Sequence, residues 1–209
     1  MVDACAILEH VLQRERRKAG TLVRRWLAAA LLLALAFPPW SAPAWADAVR
    51  FRVQPEASEV TFKATSRLMN ADGRFHRLAG EIVVDPKDLS TAKVTLSIEA
   101  ASIDTGIGRR DNHLRSEDFF DVRQFSSITF ESLRVEGAGR RATVFGRLTL
   151  RGVTRELAVP VEVDLTDLAL VATGEFVINR RDYGIAYQSS VNPIGNEVRV
   201  AFTLRARAG

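Results

Sequence analysis

Residues 93–100 read KVTLSIEA, a stretch in which polar and apolar side chains alternate without a break. Successive side chains of a β-strand point to opposite faces, so Val94, Leu96, Ile98 and Ala100 would share one face. The other face would carry only lysine, threonine, serine and glutamate. The stretch therefore predicts a strand with one face in a core and the other in water.

The same alternation recurs in seven further runs between residues 49 and 207: VRFRV, EVTFKAT, SITFESLRV, ATVFGRLTL, ELAVPVEVDL, LVATGEFVI and EVRVAFTLRAR. About eight such strands fit either a two-sheet sandwich or a closed barrel, and alternation alone does not choose between them. Gly80, Gly146 and Gly174 lie inside strands, which favours the bending of a curved sheet. Pro160 predicts a bulge or a sheet edge in its run.

One charged stretch, SIDTGIGRRDNHLRSEDFFD, interrupts the strands and lacks the alternation. Within it, His113 and Glu117 stand at helical spacing, which predicts a short helix or helical loop near residues 109–120. A helix inserted between barrel strands would lie across the mouth. Phe119 and Phe120 would then pack against the barrel rim, and the charged side chains would face outward or bind the loop to neighbouring strands.

The N-terminal stretch has the order of a secretory signal. Arg24 and Arg25 precede a run of twelve apolar residues, which Pro38 ends and a small-residue Ala-Trp-Ala sequence follows. We therefore expect residues 1–46 to be a leader that is removed, and residues 47–209 to form one β-barrel domain in the periplasm or outside the cell. An uncleaved membrane anchor is the alternative, but a bilayer span needs roughly 20 apolar residues.

The charge balance gives no reason to expect a nucleic-acid partner. The chain has 29 basic and 25 acidic residues, of which the first 46 residues hold six and three, leaving 23 and 22. A net charge near +1 is not the basic footprint of a nucleic-acid-binding domain. The sole cysteine, Cys5, lies in the leader, so the folded part would depend on its core and not on disulfides.

Catalytic and metal-binding patterns find little support. The sequence after the leader has two histidines, His76 and His113, and contains neither HExxH nor CxxC. Ser102, Asp104 and His113 have the residue types of a nucleophilic triad, yet no nucleophile elbow surrounds the serine. We therefore predict a protein that is not an enzyme, with no catalytic residues and no metal site.

Several long motifs carry a family resemblance. They are ASIDTG at 101–106, RDNHLRSEDFFDV at 110–122, ITFES at 128–132, GRLTLRGVTR at 146–155 and INRRDYGI at 178–185. In this order, and with a secretory leader, the sequence from about residue 49 to residue 204 resembles the YceI-like family. This family comprises lipid-binding periplasmic proteins of lipocalin-like fold. The sequence departs from the family pattern at Ser127, where proline is usual, and in the segment SRLMNADGRFH.

The resemblance implies an all-β fold, an antiparallel, roughly eight-stranded lipocalin-like barrel with the helical insertion at its mouth. It also implies a bound polyisoprenoid in the apolar interior, either a polyprenyl phosphate, a polyprenyl pyrophosphate or an isoprenoid quinone. The protein would act as a carrier or store for this lipid, with no other cofactor and no membrane-spanning part after cleavage. A homodimer is compatible with the resemblance.

Two sets of residues are candidates for ligand contact. Apolar side chains expected along the ligand tail are Phe62, Phe75, Leu96, Ile98, Phe119, Phe120, Phe130, Leu148, Phe176, Ile178 and Tyr183. Cationic side chains expected at the head group are Arg110, His113, Arg115 and Arg180. Guanidinium forks match phosphate oxygens, but the same arginines could instead form ion pairs with neighbouring carboxylates.

Two rival functions remain at this stage. One is a non-catalytic envelope stress-response module with a filled barrel, which would act through protein partners. The other is an outer-membrane barrel, although the many charges on the polar strand faces would crowd the interior of so small a barrel. A continuous cavity inside the barrel distinguishes a lipid carrier from the filled module.

Overall fold

The alternating runs form strands of one antiparallel sheet in a computed structural model, which describes residues 48–68 and 70–209. The strands are β1 (Val49–Val53), β2 (Glu59–Ser66), β3 (Ala71–Phe75), β4 (Leu78–Asp85), β5 (Asp88–Glu99), β6 (Ile103–Asp104), β7 (Ser127–Ala138), β8 (Arg141–Leu150), β9 (Val153–Leu165), β10 (Ala169–Asn179) and β11 (Ile194–Ala208). The predicted leader and its cleavage site lie outside the described residues.

The sheet closes into a barrel because β1 pairs with both β4 and β11. The closed ring has eight strands in the order β1-β4-β5-β7-β8-β9-β10-β11. Strand β2 pairs with residues 194–203 of β11, ahead of the part that pairs with β1. Strands β3 and β6 continue the sheet from β2. The prediction of an antiparallel, eight-stranded barrel is confirmed.

Seven of the eight alternating runs are ring strands, and the eighth, EVTFKAT, is β2. Strand β4 completes the ring but is not among those runs. It reads LAGEIVVD, and the consecutive apolar residues Ile82, Val83 and Val84 hide its period of two. Ile82 and Val84 are buried, whereas Val83 between them is only half-buried.

Two strands show local features that matter for the predictions, and the first departs from the plain alternation predicted for SITFESLRV. The run in β7 changes phase between Phe130 and Val135, and the structure has a register shift between Ser132 and Arg134 that leaves Leu133 exposed. Pro160 in β9 pairs in register with β8, so no bulge occurs there. Strand β9 pairs with β10 only from Val161 onward, so Pro160 lies where β9 has no partner on that side. Of the two predicted features, a bulge or a sheet edge, the structure has the edge.

The predicted helix is present as α1 (Gly108–Arg115), the single α-helix in the described part of the chain. It is shorter than the predicted 109–120, because the N–H of Ser116 turns back to the carbonyl of His113 and the chain continues in turns. Phe119 is buried and Phe120 is half-buried, both packed against the core as expected for the barrel rim. Short 3-10 turns occur at 55–57, 100–102 and 180–183.

The core lies inside the ring, where the apolar strand faces meet. Phe51 and Ile103 are fully enclosed, and every buried side-chain polar atom in the described residues has a hydrogen-bond partner. Nowhere in residues 48–68 or 70–209 does a helix combine the length and apolar character needed to cross a bilayer.

Candidate functional site

The barrel encloses an apolar cavity of about 190 Å³. Thirty residues from every ring strand except β1, together with β2, β3 and Phe120, line it. Among these described residues only Thr129 has a polar side chain. One water molecule needs roughly 10–15 Å³ by the same measure, so the cavity has more than ten times that space. The interior is therefore hollow and suited to hydrocarbon.

Nine of the eleven candidate tail residues line this cavity. They are Phe62, Phe75, Leu96, Ile98, Phe120, Phe130, Leu148, Phe176 and Ile178. Phe119 lies outside it and lines a second hollow instead. Tyr183 lines neither space, because it is buried in the core at the 3-10 turn. Ligand contact by any of the eleven stays a prediction.

The second hollow, of about 270 Å³, adjoins the cavity, and we call it the vestibule. Phe62, Phe120 and Val198 line both spaces and so form their boundary. Unlike the cavity, the vestibule has several polar side chains in its wall: Ser66, Arg110, His113, Arg180, Tyr187, Ser189 and Asn192. The insertion thus borders the mouth, as expected.

Arg180 lies in the vestibule wall with 4% of its surface exposed. Its five N–H groups donate to the carbonyls of Ile185, Tyr187, Ile194 and Gly195 and to the side-chain oxygen of Gln188, at 2.7 to 3.3 Å. Burial, and then the neighbouring charge of Arg181, lower the pKa of its guanidinium. A guanidinium has five donors, so Arg180 has none left for a ligand phosphate.

The other two candidate arginines also bind backbone. Arg110 donates to the hydroxyl and carbonyl of Thr105 and to the carbonyl of Asn70, which leaves two of its five N–H groups without a partner among the described residues. Arg115 lies outside the vestibule and donates to the carbonyls of Ala101 and Ile103. The insertion is therefore held by bonds to carbonyls and not by the expected arginine–carboxylate pairs.

His113 lies in the vestibule wall between two aromatic rings. Its ring centroid is 5.0 Å from that of Phe119 and 4.9 Å from that of Tyr187, both edge to face. Its Nε2 is 2.8 Å from a carboxylate oxygen of Asp118. The ring is thus packed and oriented by its neighbours, with Nε2 already engaged.

The candidate triad does not assemble, because its three members bind other partners. The Ser102 hydroxyl donates to the carbonyl of Glu99 and accepts from the N–H of Arg77. Asp104 binds His76 at 2.8 Å, whereas His113 binds Asp118. The bond from His76, and then the N–H of Gly106, hold the pKa of Asp104 below its usual range.

Over the described ranges 48–68 and 70–209, no three His, Cys, Asp or Glu side chains come close enough to hold a metal ion.

A comparison with protein-family models identifies residues 51–206 as a YceI-like domain. This chain belongs to the YceI-like family. The family's fold is that of a binding protein. The resemblance to this family that the sequence motifs indicated is confirmed.

Relatives with curated sequences are similar over part of their length. A UPF0312 protein of Shewanella sp. (strain MR-7) is 36% identical over 139 residues, which cover 66% of this chain and 72% of that protein. A UPF0312 protein of Pseudomonas aeruginosa (strain UCBPP-PA14) is 40% identical over 91 residues, 44% of this chain and 48% of that protein. The matched part thus spans about half the length of the Pseudomonas relatives.

Solved structures show the same fold. BcnA of Burkholderia cenocepacia superposes with a TM-score of 0.68 at 23% identity, over 73% of this chain and 98% of that one. A polyisoprenoid binding domain from Saccharophagus degradans gives 0.62 at 21%, over 77% and 99%. The YceI protein of Campylobacter jejuni gives 0.63 at 22%, over 68% and 88%.

Two further arginines of this YceI-like protein, Arg151 and Arg155, join the segments around the vestibule, and the sequence analysis did not single them out. Arg151 and Gly152 form the two-residue turn between β8 and β9, both with positive φ, as in a type I′ hairpin. From this turn Arg151 donates to the carbonyls of Gly184 and Glu117, so it joins the 3-10 turn to the insertion. Arg155 donates to the carbonyl of Asp182. Gly152 predicted the turn, but nothing in the sequence indicated where Arg151 would reach.

Proposed function

We propose that this YceI-like protein binds one isoprenoid lipid, with the hydrocarbon tail in the cavity and the head group in the vestibule. The observation that carries the proposal is the hollow interior, which is lined by hydrocarbon side chains and is bordered at Phe62 and Phe120 by a polar hollow. A filled barrel, which the rival interpretation requires, would lack this space.

Burial of the tail is a sufficient source of affinity. Each CH₂ group moved from water into an apolar site contributes roughly 0.8 kcal/mol before the cost of ordering the chain. A tail of many carbons therefore needs no special chemistry in the cavity wall. The Saccharophagus domain of the same fold, described as polyisoprenoid binding, supports an isoprenoid as the tail.

The head group would rest among neutral donors and acceptors and the two free N–H groups of Arg110. Since Arg180 is saturated by backbone acceptors, it would contribute charge and shape to the wall and no direct bond. This arrangement accommodates a quinone ring or a phosphate, so the head group stays open between the three predicted classes.

We further propose that the protein is exported and carries or stores its lipid in the periplasm. The basic, apolar and small-residue order of the first 46 residues supports export. The isoprenoid would be the only bound small molecule, with no metal or other cofactor. Homodimer formation stays a prediction.

Native mass spectrometry of the protein, purified from its own cells without detergent, tests the proposal. We expect an added mass that organic extraction identifies as an isoprenoid. Replacing Ala172, which lines the cavity from β10, by phenylalanine should lower the bound fraction by tenfold or more. Ala158 is exposed on β9 and provides the matched control, Ala158→Phe, which should leave the bound fraction unchanged.

A protein that stays free of added mass after incubation with polyprenols would contradict the lipid proposal and favour action through protein partners. Equal loss of lipid from Ala172→Phe and Ala158→Phe, with both variants folded by circular dichroism, would place the ligand outside the cavity.

A further inference from the structure

Three exposed aliphatic side chains surround the vestibule on three separate loops. Leu68, Ile107 and Val191 have 69%, 45% and 76% of their surface in solvent. Leu68 lies between the vestibule residues Ser66 and Ala71. A solitary exposed aliphatic side chain is ordinary, but three on neighbouring loops at one opening are not scattered.

Val191 and Ile107 are placed at the same opening by their neighbours. Val191 lies between Ser189 and Asn192, and both of these line the vestibule. Ile107 is the residue before α1, and Arg110 and His113 of this helix line the vestibule.

Hydrogen bonds between the three loops hold these tips together. The N–H of Leu68 donates to the side-chain oxygen of Asn192 at 2.8 Å, next to Val191. The Arg67 N–H donates to the carbonyl of Pro193 at 3.2 Å. Arg110 in α1 donates to the carbonyl of Asn70, which joins the insertion to the loop that carries Leu68. The tips thus form one surface, which we call the apolar rim (Leu68, Ile107 and Val191).

Unpaired positive charge accompanies the apolar rim. Arg67 and Arg109 are exposed, and neither guanidinium has a side-chain bond or ion pair to any described residue. Both arginines adjoin rim residues in the sequence, Arg67 next to Leu68 and Arg109 two residues after Ile107. Two exposed guanidinium groups without an ion-pair partner among the described residues therefore flank the apolar rim.

We propose that the apolar rim docks on a lipid bilayer with anionic head groups. Aliphatic tips that enter the acyl boundary, flanked by arginines at head-group level, are the chemistry by which proteins bind membrane interfaces. Charge complementarity and continuity with the vestibule favour this partner over a protein surface. Docking through the apolar rim does not depend on what the cavity binds.

Vesicle flotation tests the rim. The protein as recovered from expressing cells is mixed with phosphatidylcholine vesicles, with or without phosphatidylglycerol, and every variant keeps the same N-terminus. We expect it to float with the anionic vesicles. Leu68→Ser with Val191→Ser should lower the partition coefficient about tenfold or more, since 1.4 kcal/mol already makes a factor of ten and burying one aliphatic side chain contributes at least that.

Arginine and control variants complete the test. Arg67→Gln and Arg109→Gln should each weaken binding to anionic vesicles about fivefold and leave neutral vesicles unaffected. Leu168, 77% exposed at the β9–β10 turn, supplies the control Leu168→Ser, for which we expect no change. The rim variants should keep any lipid bound in the cavity, so loss of docking and loss of ligand are distinguishable.

Three results would overturn the proposal. The unchanged protein could stay with the aqueous phase for both vesicles, or the rim variants could float as well as it does. If Leu68→Ser with Val191→Ser instead abolished a concentration-dependent self-association and left flotation unchanged, the rim would be a protein interface.

Discussion

The barrel wall and the vestibule use arginine in opposite ways. On the outer surface of the wall, arginines pair with carboxylates of neighbouring strands: Arg50 with Glu81, Arg147 with Glu131 and Arg199 with Glu175. Around the vestibule and the insertion, five arginines donate to eleven backbone carbonyls: Arg110, Arg115, Arg151, Arg155 and Arg180.

The backbone explains the difference. A strand inside a sheet already satisfies its carbonyls through the ladder, so a side chain above it is free to meet an opposite charge. Most of residues 101–120 and 180–195 lie outside the ladder, apart from β6 and the first two residues of β11, and many carbonyls there need other donors. Exposed ion pairs contribute only about 0–1 kcal/mol, whereas a buried carbonyl left without a donor costs roughly 1–3 kcal/mol.

The largest expected effect follows from Arg180. Replacing it by methionine keeps much of its apolar volume but leaves four carbonyls and the Gln188 side chain without their donors. We expect the free energy of unfolding to fall by at least about 3 kcal/mol. Urea denaturation, monitored by far-ultraviolet circular dichroism, measures this change.

Arg199→Met is the matched wall variant. It removes an exposed partner of Glu175 on β10 and should change the free energy of unfolding by less than about 1 kcal/mol. A similar loss from both variants would contradict the distinction between the two uses of arginine.

Glycine substitutions compare how tightly the wall and the insertion are packed. A Cβ on Gly174, in the wall, would lie 2.6 Å from the ring of Phe202 and 2.6 Å from the carbonyl oxygen of Pro160. We expect Gly174→Ala to cost about 1–3 kcal/mol, because the backbone of β9 must move. Thermal unfolding by differential scanning calorimetry would show the loss.

Gly108, at the start of α1, is the counterpart in the insertion. Nothing lies within 4 Å of its added Cβ, so Gly108→Ala should be neutral or stabilise by about 0.4–1 kcal/mol. Destabilisation by Gly108→Ala would show that the insertion is packed as tightly as the wall.

The same comparison separates what the sequence could predict from what it could not. Alternation predicted the cavity faces of β5, including Leu96 and Ile98, because a period of two follows directly from strand geometry. The phase change around Leu133 was visible in the letters, although its outcome as a bulge depends on pairing with β8.

The vestibule was predicted less well, because its contacts depend on long-range loop placement. Arg180 and Arg181 are adjacent and identical in type, yet the 3-10 turn buries the first and exposes the second. Of the four predicted head-group residues, Arg110, His113 and Arg180 line the vestibule, whereas Arg115 does not. The sequence did not indicate which acceptors they bind, because no local pattern shows which carbonyls lack another donor.

An acid titration tests the hydrogen bond between Asp104 of β6 and His76 in the turn after β3. The pKa of Asp104 is lowered in the folded protein, so its contribution to stability is present above its unfolded value of about 4 and is lost as the pH falls through the folded value. The stability difference between the unchanged protein and Asp104→Asn should therefore shrink as the pH falls below about 4. Urea midpoints measured across this range check it, and a constant difference at every pH would contradict it.

The smallest effect is expected at alkaline pH. Burial, and then Asp182, raise the pKa of Tyr183, so the neutral ring is favoured in the folded state. Its contribution is complete below the unfolded value of about 10 and is lost as the pH rises through the folded value. Tyr183→Phe should match the unchanged protein at neutral pH and lose less stability above pH 10, by thermal midpoints. Parallel curves for the two proteins would argue against the buried phenol.

Strands β9 and β10 are both long, yet they pair over only part of their length. Five residue pairs join these strands, whereas ten join β8 to β9 and eleven join β10 to β11. Pairing stops beside Pro160, which has no N–H to donate, and at Gly174, where an added Cβ would lie 2.6 Å from the Pro160 carbonyl oxygen. Beyond that point the two strands are free to part without breaking a ladder bond between them. The ring thus has a stretch of wall, between residues 153–160 of β9 and the end of β10, that side-chain contacts must hold together without ladder hydrogen bonds.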